Sequence, residues 1–206
     1  MPSRYPLVAS VKTDMTLLEL DILEKEITTR LRDLNSKKTD PEILDTFLSE
    51  AFRKYTTIHK AYIDLIKNGD ERTRIEALKR ALYIQWIGSF EPSFITGITT
   101  SFDTFENAAG GLELKDFQFV YSYVDNLIKN NELDEELIEM LSYYACWEFV
   151  FEFENFKDYK HLHHFVFNTD QETSYVPLIR KRNLEQRGQM GDYFLSLSTL
   201  TEDTSN

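Results

Sequence analysis

At 206 residues, the chain is long enough for one domain with a sizeable core, or for a domain plus a tail. Its 42% hydrophobic and 14% aromatic content excludes disorder throughout. A formal net charge of −12 and a pI near 4.8 argue against a duplex-DNA binder, which needs clustered Lys and Arg, but permit a basic partner.

Seven glycines and five prolines leave few turns, which favours long helices over many short strands. Cys146 is the single cysteine, so no intrachain disulfide forms and a reducing compartment fits. The opening MPSRYPLVASVKTD lacks the roughly 7–15-residue apolar core of a secretory signal. No stretch approaches the roughly 20 apolar residues of a membrane span. The expectation is a soluble, cytoplasmic protein.

The first helix is expected from Thr16, which stands in capping-box spacing with Glu19. Leu20, Leu23, Ile27, Leu31 and Leu34 form its seam, and residues 35–39 read as a loop. Asp40 caps a second helix with Pro41 in its first turn. Its stripe runs Leu44, Leu48, Ala51, Tyr55, Ile58, Tyr62 and Leu65, in alternating steps of four and three, and Asn68-Gly69 ends it.

Arg74 to Ile98 reads as the central helical hairpin. Ile75, Leu78, Ala81, Leu82 and Trp86 share one stripe, and Gln85 projects into it. Burying that amide without partners costs about 1–3 kcal/mol, so it must find them. Gly88 is expected to close the first arm and Pro92 to open the second. Phe94, Ile95, Ile98, Phe102 and Phe105 carry the apolar face on to the break at Gly110-Gly111. A further helix uses Phe117, Val120, Tyr121, Val124, Leu127 and Ile128. After the 129–132 linker, Asp134 caps another, with Glu135 and Glu136 against the positive end of its dipole.

Leu137, Leu141, Tyr144, Ala145 and Phe149 make the apolar side of that helix. From Trp147 to Glu154 the pattern also alternates, as a strand pairing with His164–Phe167 would. Continued helix is the preferred reading, because no Gly or Pro interrupts it. Val176 to Arg187 carries Arg180, Lys181, Arg182 and Arg187 against one acid, Glu185. It reads as a short helix docked on acidic surface, or as a basic tail. The whole is expected to be all-α, with six to eight helices in antiparallel hairpins, as a compact bundle or short helical solenoid, with a small β-hairpin near 147–168 as the variant. Residues 1–188 form a single helical domain in this reading, and 189–206 a C-terminal tail.

Phosphate-loop, dinucleotide, HExxH, CxxC and GxSxG signatures are all missing, as is the ExxH of di-metal bundles. Three constellations remain. Glu148 and Glu152, one helical turn apart, would face the buried side of a continuing helix, either as an acid–base or metal pair or answered by Arg74, Arg80 or a tail arginine. His161, His163 and His164 are metal-ligand candidates, but neither helix nor strand puts all three on one face. His59 borders the second helix's stripe near Phe52, Tyr55 and Tyr62, where a hydrogen-bonded core histidine is the plainer account.

The expected function is a non-catalytic protein-interaction module, whether adaptor, scaffold subunit or immunity/inhibitor-type protein. It would present acidic, aromatic-rich surface to a basic or amphipathic protein partner, without nucleic acid, membrane, metal or cofactor. The alternative is an enzyme or small-ligand binder with a pocket of Gln85, Trp86, Glu148, Glu152 and His59.

Overall fold

The computed structural model describes residues 15–36, 40–90, 112–151, 156–168, 178–179 and 181–199. Local capping sets where the helices begin. Ahead of α1 (Leu17–Ser36), the Thr16 N–H donates to Glu19 Oε2 at 2.7 Å and the Glu19 N–H donates back to Thr16 Oγ1 at 3.3 Å. Asp40 Oδ1 accepts the Glu42 N–H at 2.9 Å to open α2 (Pro41–Asn68), which closes with the Gly69 N–H on the Leu65 carbonyl. Asp70 caps α3 (Glu71–Phe90) through the Thr73 N–H at 2.8 Å. With only two residues between them, α2 and α3 form a tight helical hairpin.

α3 does not stop at Gly88. That glycine is buried inside the helix, which continues to Phe90. An interior glycine costs roughly 1 kcal/mol of helix propensity, a weak preference that packing overrides. The expected second arm, from Pro92 to Ala109, lies outside the described residues.

α4 (Leu114–Asn130) buries Phe117, Val120, Tyr121, Val124 and Leu127, and ends at Asn131 in the left-handed region, φ 58°. α5 (Glu135–Ala145) is capped by Asp134 Oδ1, which accepts the Leu137 N–H at 2.7 Å. The expected continuation of α5 through Glu152 is not found. The N–H groups of Cys146, Trp147 and Val150 turn to carbonyls three residues back, and Glu148–Phe151 is a 3-10 turn. Packing explains the departure: Phe151 and Phe156 close on each other at 5.1 Å between ring centroids and on Tyr121 of α4 at 6.2 and 5.8 Å.

A second 3-10 turn, Phe156–Asp158, leads into α6 (Lys160–Asn168). The segment offered as the return strand of a β-hairpin is therefore helical, and no strand occurs among the described residues. Asp125 on α4 fixes its start: Asp125 Oδ1 accepts the His161 and Leu162 N–H groups at 2.7 and 2.8 Å. The last helix, α7 (Gly188–Thr199), packs against α1 and α3, with Met190 and Phe194 at 1% and 0% exposure. The domain thus continues past residue 188 into what reads as tail, because Met190 and Phe194, four apart, supply a buried face that the surrounding Gly, Ser and Thr dilute.

The chain is an all-α bundle. Its core gathers Tyr55 and Tyr62 from α2, Leu82 and Trp86 from α3, Tyr121 from α4, Tyr144 from α5 and Phe194 from α7. No described helix is long and apolar enough to cross a membrane.

Candidate functional site

Helices α2 and α3 bring together two of the residues singled out by sequence. Gln85 Nε2 lies 3.1 Å from His59 Nε2 and 3.4 Å from the Phe117 carbonyl oxygen. An amide nitrogen only donates, so His59 Nε2 accepts and the ring is the neutral Nδ1–H tautomer. Burial agrees, pushing the His59 pKa down to about 3. Trp86, next along α3, stacks on Tyr144 with 4.5 Å between ring centroids and meets Trp147 and Tyr193 edge-on. His59, Gln85 and Trp86 are each at most 1% exposed, so they line no opening to solvent.

The remaining candidates lie apart from these. The Glu148 backbone belongs to the 3-10 turn, its side chain lies outside the described residues, and so does all of Glu152. His161 and His164 are exposed on α6. His164 Nδ1 meets Asn168 Nδ2 at 3.2 Å, while His163 packs against Phe167 at 4.7 Å between ring centroids. No group of three or more His, Cys, Asp or Glu able to hold a metal occurs among the described residues.

What the fold builds instead is a charged cleft of about 1160 Å³. Its walls are the start of α1, the α2–α3 turn, the linker into α5 and the 183–187 strap. Its floor is an alternating ion network. Glu76 takes Arg80 at 2.7 Å and, in bidentate fashion, Arg187 Nε at 2.9 Å and Nη2 at 2.6 Å. Arg187 Nη1 continues to Glu136, which also accepts from Lys79 at 2.7 Å, and Lys79 reaches Asp134 at 2.6 Å. Burial works to raise the Glu136 carboxyl, but hydrogen bonds from Arg187 and Lys79 outweigh it and hold the group below its usual range. Burial works against the charge of Arg187 too, and Glu76 and Glu136 more than restore it.

Arg80 also ties the cleft to α1 and to the strap, donating to the Leu17 carbonyl at 3.1 Å and the Gln186 carbonyl at 2.9 Å. The basic strap does dock on acidic surface, with Leu178 and Ile179 helical and 181–187 in turns: Arg182 joins Glu139 at 2.7 Å and Glu135 at 3.1 Å. Of the arginines expected to answer Glu148 and Glu152, Arg80 pairs with Glu76 and Arg187 with Glu76 and Glu136, while Arg74 donates to the Gly69 carbonyl at 3.2 Å.

Below this network sits a buried acidic pair. Asp21 and Glu24 of α1 are 3% and 1% exposed, and Tyr62 donates to Glu24 Oε1 at 2.6 Å. Sequence reasoning missed both acids, although a signal was present. Glu24 stands four residues after Leu20 and three before Ile27, inside the α1 seam. The i,i+4 pairs Asp21–Lys25 and Glu76–Arg80 were also legible. The partners of Glu76 and Glu24 across more than 100 residues carry no local mark.

These features define an acidic all-α domain with a charge-lined cleft and a sealed polar interior. A scan against protein-family models, a search of curated proteins and a search of solved structures each found no match.

Proposed function

We propose that the chain is a non-catalytic protein-interaction module whose recognition surface is this cleft, and that its partner presents Lys and Arg side chains. The reading rests on how the charges of the cleft are divided. Lys79, Arg80 and Arg187 are consumed by the floor network. The exposed lining outside that network then holds Asp70, Glu71, Glu132 and Glu185 against Arg72. Such a rim attracts cations, while the paired floor offers no free nucleophile or base. An adaptor, a scaffold subunit or an immunity/inhibitor-type protein all use such a surface, and a cytoplasmic setting fits the lone cysteine. The alternative of a small-ligand pocket at Gln85 gains no support, since Gln85, Trp86 and His59 are closed to solvent.

Calorimetric titration of the full chain with short Lys- and Arg-bearing peptides tests the proposal. Binding should weaken with added salt and fall by about tenfold or more in a Glu71→Lys/Glu185→Lys variant. Peptides that fail to bind, or that bind the charge-reversed variant equally well, would refute it.

A further inference from the structure

α7 is held at its N-terminus by two carboxylates that belong to α1. Asp21 Oδ1 accepts the Gly188 N–H at 2.8 Å, and Glu24 Oε2 accepts the Gln189 N–H. The approach is close enough that a Cβ on Gly188 would collide with Glu24 Oε2. Asp21 is ion-paired with Lys25 at 3.0 Å. Glu24 makes no ion pair with any described residue, and Asp21 adds like charge one turn away.

None of the described charged groups facing Glu24 from the packed elements forms an ion pair with it. On α3, Arg80 serves Glu76 and the Leu17 and Gln186 carbonyls, and it also reaches the Tyr62 hydroxyl, which places its charge one hydrogen bond away from Glu24. In the strap, Arg187 serves Glu76 and Glu136. From α2, Tyr62 donates to Glu24 itself, while Tyr55 donates to Gln189 Oε1 at 3.0 Å.

Neutral and ionised Glu24 therefore fare differently. A neutral carboxyl keeps its bond to α7: Oε2 accepts the Gln189 N–H as a carbonyl oxygen, and Oε1 and Tyr62 share a single hydrogen bond between two hydroxyls. An ionised one places a charge with no ion pair of its own, answered only at a distance by Arg80, where water does not reach, a burden that disappears once α7 lifts and Glu24 is solvated. We propose that Glu24 is a proton-operated latch, holding α7 on α1 when neutral and loosening it when ionised.

Burial raises the Glu24 pKa from 4.5 to about 7, against the opposing hydrogen bonds from Tyr62 and Gln189 and the charge of Arg80. Docked α7 thus binds a proton that released α7 gives up across that window. Opening rises with pH, by about tenfold per pH unit from 4.5, and levels off above 7.

Amide hydrogen exchange of the full chain, read by mass spectrometry and divided by the intrinsic rate at each pH, measures this opening. Between about pH 5 and pH 8, the opening of 188–199 should grow on the order of a hundredfold while α2 and α4 amides stay protected. Glu24→Gln should flatten the profile. Tyr62→Phe removes a donor to the ionised form and should move the plateau to higher pH. A flat wild-type profile, a slope that survives Glu24→Gln, or α7 exchanging in step with α2 would each overturn the latch. Should Glu24→Gln not fold, the wild-type slope and the Tyr62→Phe displacement remain decisive.

Discussion

A single side chain decides what happens around it when burial leaves it one partner set. Gln85 is the clearest case. Its position in the α3 stripe was evident from spacing, and so was its need for partners. Their identity, His59 and the Phe117 carbonyl, comes from two other helices and has no sequence signature. Gln85→Leu should cost about 1–3 kcal/mol in denaturant melts, because His59 Nε2 is left buried without a donor.

His59 also has a pH signature. Its folded pKa is depressed to about 3 from 6.5, so the unfolded chain binds the extra proton between those values. Stability from this group is complete above 6.5 and is lost as pH falls toward 3. Glu24 runs the other way, its contribution shrinking as pH rises from 4.5 to about 7. The two trends oppose each other in the wild type. Melts of Glu24→Gln should therefore show a steeper rise in stability with pH over that window than the parent. Identical slopes would mean that Glu24 titrates as an ordinary surface acid.

Among the helices, those whose ends are set by nearby residues were legible, and those whose ends are set from afar were not. Thr16, Asp40 and Asp134 cap as expected because donor and acceptor are two or three residues apart. The start of α6 was obscure because its cap, Asp125, is 36 residues upstream of the amide it receives. Asp125→Ala should destabilise by about 0.5–2 kcal/mol in chemical denaturation, a loss that local propensity would not foretell. The end of α5 was misread for the same reason: Tyr121 and Phe156, not a local breaker, draw Phe151 out of the helical course. The α2 stripe, which depends only on periodicity, proved reliable at Ala51, Tyr55, Ile58 and Tyr62, all at most 1% exposed. Ile58→Ala should cost about 2–5 kcal/mol, while exposed Lys67→Ala should cost well under 1 kcal/mol.

For the molecule as a whole, the cleft network links α3, α5 and the strap through three cations and three anions, with Glu76 at the branch point between Arg80 and Arg187. Both arginine side chains are at most 10% exposed, so salt screens them little. Glu76→Gln leaves two buried guanidinium groups short of charge and should lower stability by roughly 3–5 kcal/mol. Glu135→Gln, at an exposed carboxylate, should fall within about 1 kcal/mol of the parent. Similar losses at the two positions would show that the network is solvated. All-α class, capping and the α2 face could be read from the chain alone, whereas the cleft could not, because its two sides are joined only when residue 187 returns to residue 76.

The seating of α7 on α1 has a bearing on synthesis. Gly188 meets Asp21 across 167 positions of chain, so α1 leaves the ribosome long before the helix that covers it. At roughly 5–20 residues per second, that interval is on the order of 10 s or more. Throughout it Leu20, Ile27, Asp21 and Glu24 have no α7 to cover them. The two acids on that otherwise apolar stripe give the waiting helix a hydrated, negatively charged edge until α7 emerges.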